Sequence, residues 1–223
     1  MWLALWVAPV AALAAASTIR SWEAARPAIG SPTSTTRRRA VVAGGTAAIV
    51  LGAVAGPWVA ATMATVVVIA VMLDALVGPP GVPGAGRRAL IVLAPAAAGV
   101  GLVLARVQGL DQGLVLAGMV CTYDSAAYLI GAGSNNPWEG PVAGVASVGA
   151  LTLLVAAVLF SPFQGSSPWI LGGMAALLAP LGALVASRLT PDRSARVPAL
   201  RRLDSLILLG PLWAAGTALL LHR

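Results

Sequence analysis

Long apolar stretches and short polar ones follow one another along the chain, a pattern that predicts a bundle of membrane-spanning helices. Eight apolar segments can be separated, each near the ~20 residues that a helix needs to cross a bilayer core. They cover residues 2–17, 40–55, 57–77, 89–105, 108–131, 140–161, 168–187 and 203–221. Polarity does not alternate residue by residue within them, as β-barrel strands require. We therefore predict an all-α, polytopic integral membrane protein with about eight transmembrane helices.

Glycine, proline and polar residues mark the boundaries between these segments. Gly56-Pro57 predicts a tight turn between the second and third segments, because proline cannot continue the hydrogen bonds of a helix. The glycine- and proline-rich run 78–84 predicts a linker. The polar stretch 18–39 is expected to be a flexible loop lying along anionic headgroups. We divide the chain into N-terminal helices with basic loops (1–107) and a C-terminal region that carries a polar site (108–223).

The composition agrees with a membrane protein. The chain has 223 residues, of which 59% are hydrophobic and 9% charged, and its mean hydropathy is +0.91. These values lie outside the soluble globular range, and the abundance of Ala and Gly favours close helix packing. The single cysteine, Cys121, excludes an internal disulfide and is expected to be buried. One cysteine and one histidine cannot build a zinc, haem or iron–sulfur site.

The positive charges fall in alternate loops. All fourteen basic residues are arginines, and the net charge is +7. Twelve of them follow the first, third and seventh segments, and two belong to the opposite side. The positive-inside rule places the rich side in the cytoplasm and both termini outside, and it explains the charge without nucleic acid as a partner. The lysine-free, Arg- and Ala-rich composition is typical of a GC-rich bacterial genome, which favours the cell membrane.

Two polar stretches on the predicted cytoplasmic side carry candidate chemistry. One follows the fifth segment and contains Glu139, and the other, 187–206, contains five arginines. Asp124, Glu139 and Asp204 approach the same side, and such a cluster of carboxylates would suit Mg²⁺. Arginine makes bidentate contacts with phosphate, so the two stretches predict a site for a phosphate-bearing lipid or nucleotide.

Simpler explanations exist for several of these residues. Glu139 and Asp204 open helices, where a negative charge complements the helix dipole. Tyr123, Tyr128 and Trp138 fit an interfacial aromatic belt. Asp74 lies near the end of an apolar segment and is expected to need a partner or water there.

Four short motifs in the second half of the chain follow one another in the order found in one protein family. Residues 124–131 have the form D-x-x-A-Y-x-x-G, and Trp138-Glu139-Gly140 follows them. Gly182 to Ser187 and then Arg202-Leu203-Asp204-Ser205-Leu206 complete the series. Over residues 110–223 the chain thereby resembles the phosphatidate cytidylyltransferase (CDP-diacylglycerol synthase) family of integral membrane enzymes.

The chain departs from the family pattern at several positions. Asn135 and Asn136 stand where the family has two lysines, and Ala183 stands where it has an aspartate. Arg201 replaces the first aspartate of the family's D-R-x-D, and the His-Gly-Gly of the preceding loop is missing.

The resemblance implies an activity and its partners. The enzyme would transfer a cytidylyl group from CTP to phosphatidate or a related lipid phosphate, giving CDP-diacylglycerol and pyrophosphate, with Mg²⁺ as cofactor. The family likeness also implies a homodimer surrounded by membrane lipids. The implied catalytic residues are Asp204, Arg202 and Glu139, and the implied Mg²⁺ ligands are Asp204 and Asp124. The candidate substrate-binding residues are Tyr128, Trp138, Ser187, Arg188, Arg196, Arg201 and Ser205.

Three alternatives stay open at the level of sequence. The missing Lys, His and Asp positions favour a catalytically weakened paralogue that binds lipid or nucleotide as a regulatory subunit. The Gly- and Pro-rich segments and Asp74 fit a small transporter, although no repeated half is present. A CTP-dependent lipid kinase-like protein of the wider superfamily is the third.

Overall fold

Helices account for nearly all of the chain that the computed structural model describes, which comprises residues 1–25, 32–77, 84–158, 163–192, 195 and 197–221. The helices are α1 (Trp2–Ala25), α2 (Pro32–Gly52), α3 (Pro57–Val77), α4 (Ala85–Gln108), α5 (Leu110–Gly131), α6 (Glu139–Val158), α7 (Ser167–Leu189), α8 (Pro198–Arg201) and α9 (Leu206–Leu221). No strand occurs within the described ranges, so the predicted all-α class is confirmed.

Six helices in the described part of the chain are long and apolar enough to cross a membrane, namely α1, α3, α4, α5, α6 and α7. Helices α2 and α9 are not among these six, for different reasons. Helix α2 begins with a polar stretch that contains three consecutive arginines, and α9 has only 16 residues. The sequence prediction of a membrane-embedded helical protein is thus supported by six helices.

Helix α4 occupies the centre of the bundle and α3 its edge. In the most apolar stretch of α4 56% of the residues are buried, against 11% in α3. Helix α4 packs most extensively against α9 and also contacts α1, α2 and α5, while α5 packs against α6. A main core joins α1, α4, α5, α7 and α9, and a second core lies among α1 to α4 around Ile19, Trp22 and Ile91.

Small residues set the distance between the central helices. A Cβ atom on Gly101 of α4 would lie 2.1 Å from the backbone carbon of Gly210 in α9, so two glycines meet there backbone to backbone. Prolines occur inside α1, α4, α7 and α9. Membrane helices tolerate interior proline where neighbouring groups satisfy the freed backbone.

The turn predicted at Gly56-Pro57 is present. Helix α2 ends at Gly52, a hydrogen-bonded turn covers the next residues, and α3 begins at Pro57. Gly56 has φ of +126°, a conformation that residues with a Cβ rarely adopt. Proline at the first helical position loses no hydrogen bond, because that N–H has no partner inside the helix.

The predicted flexible loop 18–39 is wrong over most of its length. Helix α1 continues to Ala25 and α2 begins at Pro32, so most of this stretch is helical. Ile19 and Trp22 are buried against the second core. Glu23, which we expected in a loop, lies on α1 and binds arginines of α2. Helix extension therefore follows from burial and ion pairing between α1 and α2.

Three other sequence predictions concern Cys121, the linker 78–84 and the division of the chain at residue 107. Cys121 is exposed on α5 rather than buried, because it faces outward from the helix on the side away from the core. Residues 78–83 of the predicted linker lie outside the described residues. The division at residue 107 stays a prediction.

The charged residues gather at one end of the bundle. Because successive long helices run antiparallel, the last turns of α1, α3, α5 and α7 lie beside the first turns of α2, α4, α6 and α9. We call this the arginine end; its described arginines are Arg20, Arg37, Arg38, Arg39, Arg87, Arg88, Arg188, Arg201 and Arg202. Arg106 lies in the last turn of α4, at the opposite end.

The contact between α4 and α9 can be tested by adding one methyl group. Gly101→Ala should lower the free energy of unfolding by about 1–3 kcal/mol, because the new Cβ would overlap the Gly210 backbone. Gly149→Ala in α6 is the matched control, since its Cβ would meet nothing within 4 Å. Thermal unfolding in detergent measures both. Equal melting temperatures for the two variants would contradict the packing described here.

Candidate functional site

Two carboxylates from distant parts of the sequence meet at the arginine end around one serine hydroxyl. The Ser205 hydroxyl donates a short hydrogen bond to Oδ1 of Asp124, in the last two turns of α5. The same hydroxyl lies 3.2 Å from Oδ1 of Asp204, which also accepts the backbone N–H of Ser205 at 2.8 Å. We call Asp124 and Asp204 the acidic pair. Ser205 is buried, and both aspartates are partly buried.

A tight turn between α8 and α9 positions Asp204 and Ser205. Pro198 begins the single-turn helix α8, and the chain then turns through backbone hydrogen bonds from Leu203 N to Leu200 O and from Leu206 N to Leu203 O, both 3.0 Å. Gly182 of α7 lets this turn approach closely, because a Cβ there would lie 2.2 Å from the Asp204 carbonyl oxygen. The position of Asp204 therefore depends on residue 182 of α7 being glycine.

Arg201 is the positive side chain beside the acidic pair, since it lines the same recess as Asp204 and acts on it electrostatically. None of the four ion pairs found in the described part of the chain involves Asp124 or Asp204. Burial raises the pKa of Asp204 to about 6, and repulsion from Asp124 adds to the shift, whereas hydrogen bonds from Ser205 and the charge of Arg201 oppose it. Tyr123, buried beside Gly144, is within electrostatic range of both carboxylates. Such a pair attracts cations.

A small recess opens beside Asp204. It has a volume of about 30 Å³ and is lined by Ser187 and Thr190 of the α7 terminus, by Arg201 and by apolar side chains. This is room for a water or an ion and too little for a nucleotide. The Ser187 hydroxyl donates to the Leu184 carbonyl at 2.7 Å, so at the recess its oxygen serves as a hydrogen-bond acceptor.

The donors present fit Mg²⁺. All are oxygens, which this hard cation prefers, and two carboxylates with waters and phosphate oxygens are its usual environment. Among the described residues no group of three Asp, Glu, His or Cys side chains forms. The protein would therefore supply Asp124 and Asp204, and the remaining positions would fall to water and substrate.

The Trp-Glu-Gly motif borders a different groove, which only Gly140 of its three residues lines. This groove measures about 360 Å³ and is lined by Tyr128, Asn136, Gly140 and their neighbours. Asn136 builds the turn: its side-chain oxygen accepts the Trp138 N–H at 3.1 Å, and its carbonyl accepts the Ser134 hydroxyl at 2.9 Å.

A third and larger groove runs between α1 and the segment after α7. It measures about 620 Å³, and its lining includes Ser17, Arg20 and Ser21 of α1 with Pro191 and Asp192. It adjoins the recess along the chain, because Thr190 lines the recess and Pro191 lines the groove. Its volume falls within the range of small-molecule sites.

The structure brings together five of the predicted site residues and leaves others apart. Ser187, Arg201 and Asp204 line the recess, and Ser205 links Asp204 to Asp124 behind it. The remaining described candidates are exposed elsewhere on the arginine end: Tyr128, Trp138, Glu139, Arg188 and Arg202. The predicted third carboxylate, Glu139, does not join the acidic pair. Arg196 lies outside the described residues.

Sequence reasoning missed three residues that shape the site. Gly182 had been noted only as part of a motif, and its role is visible only from the close approach of the Asp204 turn. The sequence places Tyr123 in an aromatic belt at the membrane interface, but in the structure this side chain is buried, with only 5% of its surface exposed. In the sequence, Asn136 is marked only as a position where the family has lysine. The Asn-Asn-Pro sequence was the available signal for a turn.

No model of a protein family, no curated protein and no solved structure matches this chain. The fold and the site therefore define its class on their own: an all-helical, membrane-type bundle with an acidic pair at its arginine-bearing end.

The raised pKa of Asp204 predicts a pH-dependent stability effect. The folded-state pKa is about 6 and the unfolded value about 3.8, so ionised Asp204 destabilises the fold above pH 6 and costs nothing below pH 4. Asp204→Asn should therefore raise the melting temperature at pH 7.5 in metal-free buffer by a few degrees.

The increase in melting temperature caused by Asp204→Asn should become smaller as the pH falls towards 5. Asp111→Asn, at the opposite end of α5, controls for the loss of one charge. Melting curves of both variants across pH 5–8 give the answer. A gain for Asp204→Asn that is independent of pH would contradict the burial of this carboxylate.

Proposed function

We propose that this chain is a CTP-dependent cytidylyltransferase of phospholipid synthesis, which converts phosphatidate or a related lipid phosphate to CDP-diacylglycerol and pyrophosphate. The observation that carries the proposal is the acidic pair. Asp124 belongs to the D-x-x-A-Y segment and Asp204 to the R-x-D-S-L segment, and the two meet at Ser205 although 80 residues separate them. Segments chosen by their resemblance to one enzyme family thus converge in space.

The proposal includes a placement in the membrane. Helices α2 and α9 cross together with the six apolar helices α1, α3, α4, α5, α6 and α7, giving eight spans in the cell membrane. The arginine end faces the cytoplasm, as the positive-inside rule requires. The acidic pair then lies at the membrane surface, where CTP arrives from water and a lipid phosphate arrives from the bilayer. Whether two chains associate is a further part of the family analogy.

Each residue around the recess has a role in binding. Asp124 and Asp204 hold Mg²⁺, which supplies charge neutralisation for the triphosphate when bound. Ser205 keeps the two carboxylates at a fixed separation through its hydroxyl. Arg201 at the recess and the exposed Arg202 and Arg188 offer positive charge to phosphate oxygens, with Arg196 as a further candidate. The groove beside Arg20 is the space of suitable size for the nucleotide.

The reaction balances without a covalent enzyme intermediate. A phosphate oxygen of the lipid attacks the α-phosphorus of CTP, a new P–O–P bond forms, and the bond to the β-phosphate bridging oxygen breaks. Pyrophosphate leaves with the bonding electrons. Phosphoryl-type transfer relies on positioning and charge stabilisation more than on protein nucleophiles. Buried carboxylates and surrounding arginines provide those two elements.

Turnover of radiolabelled CTP with phosphatidate by the purified chain in detergent and Mg²⁺ tests the proposal. Wild-type protein should form a CDP-lipid. Asp204→Asn should lose at least about 100-fold in rate, because the neutral amide removes a charge at the centre of the site.

Asp111→Asn is the matched control and should keep the wild-type rate. A wild-type chain that binds CTP without turnover would support the alternative of a binding or regulatory subunit, which the separation of Glu139 from the acidic pair favours. A chain that neither turns over nor binds CTP would overturn both.

The close approach at Gly182 predicts a second effect on turnover. Gly182→Ala should slow the reaction about 100-fold, because the added methyl group displaces the Asp204 turn and misplaces the carboxylate. Gly173→Ala on the same helix meets nothing within 4 Å and should leave the rate unchanged. A shared modest decrease in both variants would indicate that the α7 backbone, rather than the turn, limits activity.

A further inference from the structure

A second charged cluster, separate from the acidic pair, joins the first four helices at the arginine end. It contains two carboxylates, Glu23 of α1 and Asp74 of α3, and five arginines. The arginines are Arg37, Arg38 and Arg39 of α2 with Arg87 and Arg88 of α4. We call these seven residues the arginine cluster. Its net charge is +3, from five positive and two negative side chains.

Each carboxylate of the cluster is shared by two arginines. Asp74 accepts from Arg37 at 2.7 Å and from Arg88 at 3.2 Å. Glu23 binds Arg39 at 2.7 Å and Arg38 at 3.4 Å. The prediction that Asp74 needs a partner is thereby confirmed.

The positive charges of the cluster are close together and partly buried. Arg38 and Arg88 are each 3% exposed, and they interact electrostatically with one another. The Arg38 Nε–H is buried and makes no hydrogen bond. Like charges held near one another in a low-dielectric region repel strongly. An additional anion would relieve that repulsion.

The outer layer of the cluster is accessible to such an anion. The Arg37 side chain is 66% exposed and that of Arg39 is 39% exposed. Arg87 is also exposed, and its guanidinium lies 4.4 Å from the ring centre of Trp22. The Trp22 indole is fixed by a 2.7 Å hydrogen bond to the Leu189 carbonyl, so Arg87 stacks on a rigid platform. These guanidiniums present planar donors suited to phosphate oxygens.

The surface next to the cluster is apolar. Leu73 and Leu76, on either side of Asp74 in the sequence of α3, are 57% and 80% exposed, and Leu90 of α4 is 55% exposed. Helix α3 is also the least buried of the apolar helices in the described chain. A ligand at this place would therefore meet guanidiniums at one end and hydrocarbon along its length.

We propose that the arginine cluster binds the headgroup phosphate of an anionic phospholipid, with the acyl chains lying along α3 and α4. Arg37, Arg39 and Arg87 contact the phosphate, while Arg38 and Arg88 supply charge from beneath. The site differs from the acidic pair in every residue, and the proposal does not depend on the proposed transferase activity. A soluble phosphate would use the guanidiniums but leave the apolar surface unused.

Thermal shift of the purified chain in detergent tests this site. The probes are short-chain phosphatidylglycerol, short-chain phosphatidylcholine and inorganic phosphate. Phosphatidylglycerol should raise the melting temperature of the wild-type chain more than phosphatidylcholine does, and the effect should weaken at high salt. In the double variant Arg37→Gln/Arg87→Gln the apparent affinity for phosphatidylglycerol should fall at least about tenfold.

Two further variants keep the result interpretable. Arg106→Gln, at the opposite end of α4, removes an exposed positive charge outside both sites and should retain the effect of phosphatidylglycerol. Arg37→Lys/Arg87→Lys keeps the charge and should recover part of it, even if the glutamine variant folds poorly. Equal stabilisation of the wild type by both lipids, or of Arg37→Gln/Arg87→Gln and Arg106→Gln by phosphatidylglycerol, would overturn the proposal. Full reproduction of the effect by inorganic phosphate would also overturn it, because the site would then bind free phosphate.

Discussion

Charged side chains at the end of an apolar bundle lose much of their hydration, and the need to compensate this loss organises the whole arginine end. The first four helices meet the need with ion pairs: Glu23 and Asp74 are each held by two arginines. Near the last helices, Asp124 and Asp204 are held by hydrogen bonds with Ser205, and the charge of Arg201 acts on Asp204 from the recess. The first four helices therefore carry surplus positive charge, whereas two carboxylates lie together near the last helices. These opposite imbalances are the physical basis of both proposed sites.

Close backbone packing makes this charge distribution possible. Glycines bring α4 against α9 at Gly101 and Gly210, and α7 against the Asp204 turn at Gly182. The contact between Trp22 and the Leu189 carbonyl then ties the end of α1 to the end of α7, one residue before the recess-lining Thr190. The arginine cluster and the recess consequently rest on neighbouring parts of one framework, although they share no residue.

Sequence alone predicted the helical class and the approximate position of every long helix, because apolar runs and Gly-Pro boundaries are local signals. It also selected Asp124 and Asp204, since short motifs marked them. It failed where the answer depends on contacts between distant segments. The helical ends of α1 and α2 depend on Glu23 meeting Arg38 and Arg39, and that pairing leaves no local periodicity. The separation of Glu139 from the acidic pair likewise depends on how α5 and α6 pack.

Mn²⁺ binding followed by electron paramagnetic resonance would determine whether the acidic pair holds a divalent cation together with CTP. Titration of the purified chain should reveal one bound Mn²⁺ per chain in the presence of CTP. In Asp124→Asn this signal should be lost while Asp111→Asn retains it. Undiminished Mn²⁺ binding in Asp124→Asn would contradict the account, because the cation would then be held elsewhere on the protein.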